Sequence, residues 1–281
     1  MKVVVHSGNI GNAVAEQLLE QGHDVFMLVR KPGKVSNKHI KELVVDFNDV
    51  ESLIEAFSGK DKFFSVSPLI PSMVELAEIS VKAAINSGIK HIVRSSARGA
   101  SKEAPITMGQ MHGTIEEMIE HAEIPYTFIQ PASFYQNLMG SIPTIKNEGA
   151  FYGAIGNGQN AFVDVRDIAA VSVAALNEER HIGQTYVVTG PEVISYQDMA
   201  NELSSQLGRT INYVDIPRDK LAEAYKSYGM SDWLIETLLE LDDITKKGYL
   251  ASGSEDVKSV LGREPIAFSQ FVTDNLSLFK Q

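Results

Sequence analysis

A chain of 281 residues with 44% hydrophobic content is long enough to bury a full core, as one large unit or two intimate ones, and excludes the disordered classes. It has no cysteine, which rules out a disulfide framework, a thiolate nucleophile and a Cys-ligated metal, and gives no support to a secreted setting. The formal net charge of −11 repels polyphosphate backbones, so a small-molecule partner is expected and a nucleic acid is not.

The N-terminus enters an apolar strand after a single Lys, without the pattern of a leader, so the cytoplasm is the default compartment. No stretch approaches the roughly 18 apolar residues of a membrane span. From there short β-branched runs alternate with segments of helical period. Strands are expected at 3–5, 24–29, 43–46, 62–67, 91–95 and 126–130. Helices are expected from Asn9 to the stop at Gly22, then at 49–57, about 72–87 and about 107–121. This βαβ rhythm predicts an α/β fold with a Rossmann-type doubly wound parallel sheet. A Gly-rich irregular stretch at 149–158 marks the departure from it. A strand at 162–165 and a helix at 167–176 read as a return to the sheet, and 195–281 reads as a mostly helical cap. The division expected is 1–131 plus about 156–180 for a nucleotide-binding domain, and about 132–155 plus 181–281 for a smaller substrate domain.

The first strand runs into His6, Ser7, Gly8, Asn9, Ile10 and Gly11, where the next helix begins. Free backbone N–H groups and a helix N-terminus at a strand's carboxyl end attract phosphate. The three-glycine dinucleotide fingerprint is here reduced to Gly8 and Gly11, so a plain strand-to-helix turn is an equal reading. The second strand ends in Arg30, followed by Lys31, Pro32, Gly33 and Lys34. A guanidinium at this point suits a 2′-phosphate, whereas an NAD-binding chain usually carries an acid there; the cofactor expected is NADP, with NADPH preferred over NADH. The bland alternative is a solvated basic turn. Asp46 and Phe47 are placed to border the adenine, with helix capping as the other reading of Asp46. Ser65, Val66, Ser67 and Ser95, at the ends of the fourth and fifth strands, are expected near the middle of the cofactor.

Several runs in order resemble the NmrA-like group of atypical short-chain dehydrogenases: GNIGNAVAEQLLEQGHDVFMLVRKPGK, VVDFNDVESLIEAF, SGIKHIVRSSA, IPYTFIQPASFYQN, GNGQNAFVDVRDIAAV and LGRTINYVDIPRDKLAEAYKSYGM. Within that group they are most similar to the bacterial NADPH:quinone oxidoreductase and triphenylmethane reductase branch. The resemblance covers nearly the whole chain and implies NADPH binding and a small C-terminal substrate domain. The chain departs from the group at the phosphate turn, where Val5, His6, Ser7 and Gly8 replace Thr-Gly-Ala-Thr-Gly.

None of the nine tyrosines has Lys four residues on, so the proton-transfer pair of alcohol-oxidising short-chain dehydrogenases is missing. On the helix that would carry it, the spacing is filled by His112 and Glu116. His112 reads either as a catalytic group at the nicotinamide end or as half of a polar pair beside the Met108, Met111 and Ile115 stripe. Quinones accept hydride directly and tolerate the loss. Phe134, Tyr135 and Asn137, after the sixth strand, read as an aromatic wall for such an acceptor or as packing for the start of a helix. No metal-site spacing and no acyl-transfer motif is present. Three functions stay open: an NADPH-dependent reductase of quinones or similar conjugated acceptors, a non-catalytic NADP-binding redox-sensing regulator acting through a protein partner, and a scaffold that has lost nucleotide binding. A homodimer is compatible with each.

Overall fold

The computed structural model describes residues 1–280. The chain divides into two compact units, Met1–Pro131 with Val165–Val188, and Ala132–Asp164 with Thr189–Gln281.

The first unit holds β1 (Lys2–His6), α1 (Asn9–Glu20), β2 (Asp24–Val29), β3 (Lys41–Val44), α2 (Val50–Phe57), β4 (Lys62–Val66), α3 (Met73–Asn86), β5 (His91–Ser95), α4 (Thr107–His121) and β6 (Tyr126–Pro131). After an excursion into the second unit the chain returns through α6 (Val165–Asn177) and β9 (Thr185–Val188). The strands form one seven-stranded sheet in the order β3-β2-β1-β4-β5-β6-β9. Every pairing is parallel. Parallel strands covered on both faces read as near-continuous apolar runs, and Val3, Val4 and Val5 are fully buried in sequence. Val4, Leu28, Phe63, Ile92 and Phe128 pack with Leu53 and Phe57 of α2, Met73 and Ala77 of α3, and Ile115 and Ile119 of α4. Helices α1 and α6 pack on each other. Gln17 of α1 donates to the Arg166 carbonyl at 3.1 Å.

Two expectations are corrected. Residues 162–165 do not re-enter the sheet: Val163 makes only a parallel bridge to Phe134, and the helix begins at Val165. The returning strand is β9, a short edge strand that places Thr185 to Val188 beside β6. It carries only one fully buried residue, Val188, and so lacks a strong apolar signal. Strand β3 lies two residues before its expected position because its register on β2 pairs Phe26 with Lys41 and Val29 with Val44.

The second unit contains a 3₁₀ turn at Tyr135–Ser141, then α5 (Ile142–Glu148), β7 (Ala150–Gly153), β8 (Gln159–Asn160), β10 (Ile194–Ser195), α7 (Tyr196–Leu207), β11 (Asn212–Asp215), α8 (Arg218–Ser227), α9 (Asp232–Lys246), α10 (Asp256–Leu261), α11 (Phe268–Asp274) and α12 (Leu276–Phe279). It is mostly helical, with two small sheets: β7 pairs parallel with β11, and β8 antiparallel with β10. Its core gathers Leu138, Phe151, Met199, Leu203, Phe271 and Phe279. Ser195 starts α7 with a capping box closed by Asp198.

Candidate active site

In an open parallel sheet the chain runs outward in both directions from one point, and ligands lie beyond the carboxyl ends of the strands there. Here that point falls between β1 and β4.

The turn leaving β1 is two residues long. Ser7 and Gly8 are exposed, and Gly8 takes φ 126°, a conformation that favours glycine. Helix α1 then starts at Asn9 without a side-chain cap, which leaves its N-terminal amides available for an anion. Ile10 and Gly11 are buried. A Cβ on Gly11 would sit 1.8 Å from the His6 carbonyl oxygen, so Gly11 lets the helix approach the strand rather than lining open space. His6 turns its ring inward. Its Nδ1 accepts the Val66 amide at 3.2 Å, which places the proton on Nε2, and Nε2 is buried without a partner among the described residues. Burial, seconded by the Arg94 charge, pushes the imidazole down to about 3.

Beyond β2, the Arg30 guanidinium lies over the Phe47 ring, 5.8 Å from its centre, and Phe47 in turn leans on His6 at 5.7 Å. Arg30 is exposed and makes no ion pair among the described residues. The basic turn after it is rigidified from β3: Glu42 accepts the amides of Gly33, Lys34 and Val35 at 2.7, 2.6 and 2.7 Å. Lys34 is thus held by its backbone, with its side chain exposed. Asp46 accepts from the Asn48 backbone at 2.9 Å, while the cap of α2 is Asp49. The capping alternative for Asp46 thus takes the form of a local turn.

At the ends of β4 and β5 the structure assembles a buried polar cluster that the sequence reading only partly anticipated. Arg94, pointing from β5, is fully buried, and its Nη1 donates to Ser65 Oγ at 3.2 Å and Ser67 Oγ at 3.1 Å. Its Nε and Nη2 have no partner among the described residues. Burial pushes the guanidinium down to about 10, against the pull of the Glu116 charge, and it stays protonated at neutral pH. Val66 presents its amide to His6, and Ser95 is buried in the strand. Ser96, just past β5, lies 3.4 Å from Nδ1 of His112 and hydrogen-bonds the Glu116 carboxyl. Gln130 of β6 donates to both Glu116 oxygens at 3.0 Å. His112 is half-buried, and desolvation followed by the Arg94 charge drives it down to about 3. A neutral imidazole cannot serve as a free-standing strong acid at pH 7.

His6, Arg94, Ser96 and Gln130 were not singled out from the sequence. A charged residue inside the buried run His91–Ser95 was the available signal.

In the second unit, Tyr135 is corrected from acceptor wall to core: it is 1% exposed and packs on Phe268 and Phe271, with ring centres at 5.2 and 5.5 Å. Phe134 is half-buried and Asn137 exposed. Among the described residues no cluster of three or more His, Cys, Asp or Glu side chains is placed to hold a metal, and no helix is long and apolar enough to cross a membrane.

The arrangement fits a dinucleotide. The turn at Gly8 offers uncapped amides, Arg30 is free for a phosphate, and the orphaned donors of His6 and Arg94 lie under the strand ends where its middle would pass.

The chain is 33% identical to the NAD(P)H azoreductase of Xenophilus azovorans over 280 residues, covering 99% of this chain and 98% of the relative. It is 26% identical to quinone oxidoreductase 2 of Escherichia coli strain K12 over 273 residues, covering 95% of each. The crystal structure of an NADPH-dependent quinone oxidoreductase from Escherichia coli in complex with NADPH superposes with a TM-score of 0.87 at 25% identity, over 98% of this chain and 100% of that one. Residues 1–272 match the NmrA-like family, and the chain belongs to it.

Proposed function

We propose that this chain, an NAD(P)H-dependent oxidoreductase, binds NADPH in preference to NADH and reduces a quinone or a similar conjugated acceptor directly. The observation that carries the reading is the occupancy of the α4 face: where alcohol-oxidising relatives need a phenol beside an ammonium, this chain has His112 and Glu116, tied to Ser96 and Gln130. Chemistry that begins by removing a proton from an alcohol lacks its phenol–ammonium pair here, whereas an acceptor that takes hydride directly needs mainly to be held flat and close. When bound, the nicotinamide supplies that hydride. The chain's own part is to bind and orient. The amides at Gly8, Asn9 and Ile10 would take the pyrophosphate, Arg30 with Lys34 the 2′-phosphate, and Phe47 with Asp46 the adenine side. Ser65, Val66, Ser67 and Ser95 would border the middle of the molecule, with Arg94 beneath. Phe134 and Asn137 stay candidates for contact with the acceptor.

Calorimetric titration with NADPH and NADH tests the cofactor part. The wild type should favour NADPH, and Arg30→Ala should remove most of the gap, on the order of 10- to 100-fold, the worth of a charge-assisted pair. Equal wild-type affinities would refute the assignment of Arg30. The acceptor part is tested by NADPH oxidation with a simple naphthoquinone and no added flavin. Binding without turnover across quinones, azo dyes and triphenylmethane dyes would replace the reductase by the regulator.

A further inference from the structure

We propose that Glu116, Ser96 and His112 form a proton relay that ends on Nε2 of His112 and delivers the proton completing reduction of the acceptor. This rests on the reductase reading and adds to it a route for the proton.

The case begins with counting hydrogens. Ser96 Oγ has one proton and two neighbours, the Glu116 carboxyl and His112 Nδ1 at 3.4 Å. With Glu116 ionised, the hydroxyl proton belongs on the carboxylate, because a charge-assisted bond outcompetes a neutral one. Ser96 Oγ must then accept from His112, so the imidazole carries its proton on Nδ1 and leaves Nε2 bare. With Glu116 protonated the chain reverses. The carboxyl O–H donates to Ser96, Ser96 donates to Nδ1, and the imidazole proton sits on Nε2. The state of a buried carboxyl is thereby displayed two hydrogen bonds away, on the ring nitrogen of His112 that does not face Ser96.

The surroundings suit this use. Glu116 is only 9% exposed, and Gln130 fixes its plane by reaching both oxygens at 3.0 Å. Arg94 on β5 faces both Glu116 and His112, Glu120 lies one turn further along α4, and Tyr126 of β6 also senses Glu116. Burial raises the Glu116 carboxyl above the usual carboxylate range, with Ser96, Gln130 and Arg94 opposing it only in part. Burial and the Arg94 charge keep His112 from becoming imidazolium, so it passes protons only in concert, gaining one on Nδ1 as it loses one from Nε2.

The step balances. The Glu116 O–H bond breaks as Ser96 takes that proton, Ser96 gives its own to Nδ1, and Nε2 gives its own to the anionic oxygen of the acceptor after hydride has arrived. Three protons shift by one bond each for a net transfer of one, the imidazole ends neutral in its other tautomer, and Glu116 is left as a carboxylate for solvent to recharge.

The first test needs no turnover. On the full chain, ¹⁵N shifts of His112 should move from the Nε2–H to the Nδ1–H tautomer as pH rises through the Glu116 titration, and Glu116→Gln should make them independent of pH. A wild-type His112 locked in one tautomer throughout overturns the relay. The second test is kinetic. Wild-type kcat should fall as pH rises through the same titration and slow about twofold in D₂O. Glu116→Gln and Ser96→Ala should each lower kcat by about 100-fold, the low end for a positioned acid, and flatten the profile with KM little changed. Glu116→Asp should restore the pH dependence, and unchanged NADPH affinity shows that each variant is folded. Glu116→Gln turning over with the wild-type profile and solvent effect overturns the relay and leaves the reductase standing. A wild type that binds NADPH and reduces no acceptor overturns the reductase reading and the delivery step with it, even if the tautomer moves.

Discussion

The contact between Gly11 and His6 depends on the absence of one methyl group. Replacing a helical glycine by alanine ordinarily stabilises a helix by up to about 1 kcal/mol. Here the new carbon would fall 1.8 Å from a backbone oxygen, and neither strand nor helix has a flexible end to withdraw. Gly11→Ala is therefore expected to cost about 1–3 kcal/mol, as overpacking does, and to lower the melting midpoint. A midpoint that rises would show that the close approach is not real. The conformational reasons for Gly8 and Gly11 were legible because a strand-to-helix turn gives glycine a meaning there. Arg94 was not. Its role comes from lateral register, which sets Arg94 opposite Ser65 on the neighbouring strand, and no window along the sequence contains both. Tyr135 misled for a related reason. An aromatic residue following a strand resembles a binding wall until α11, far along the chain, covers it with Phe268 and Phe271.

Among the elements, β3 does more than extend the sheet. Glu42 projects from it into the basic turn after β2 and gathers three successive amides, forming a nest of backbone donors around a carboxylate. Those amides hold its carboxyl below the usual range, that of Gly33 most and that of Val35 next, with burial opposing. A lowered carboxyl pKa contributes order that is present above the unfolded value and lost as pH falls through the folded one. In Glu42→Gln the amides of Gly33, Lys34 and Val35 should exchange hydrogen markedly faster than in the wild type, while those of β2 stay protected. Unchanged protection at all three would show that the turn holds itself. The nest was invisible beforehand because Glu42 lies just ahead of the strand expected at 43–46 and reads as an ordinary polar residue. The long amphipathic helices were easier: α1, α3 and α4 fall within a few residues of where their apolar spacing put them, whereas edge strand β9 and the two small sheets are too short to carry a period.

The molecule as a whole carries buried bases that must stay neutral. His6 is 8% exposed and is driven to about 3, chiefly by burial; His91, 1% exposed between β4 and β6, is driven to about 4 by burial and the charge of Lys62. The unfolded chain protonates both near pH 6.5. The folded state binds fewer protons below that value, so stability is complete above pH 6.5 and drains away as pH falls toward 4 and then 3. The slope approaches about 1.4 kcal/mol per pH unit for each histidine. The urea midpoint should accordingly drop between pH 7 and pH 5, and a midpoint that holds steady would mean that the two imidazoles are accommodated as cations.

The first unit is discontinuous along the chain, and this bears on biogenesis. The buried face of α1, with Ile10, Val14 and Leu18, leaves the ribosome well before the helix that packs on it, α6, which is joined to it through Gln17 to Arg166 and through Asn177 to Gln21. Between them the whole of Ala132–Asp164 must be translated. For that interval the nascent sheet displays an apolar surface and an unpaired β6 edge, the two features that recruit chaperones or seed aggregation. The connectivity that gives this fold its final strand thus sets a vulnerable window during synthesis, one that closes only when Val165–Val188 has cleared the exit tunnel.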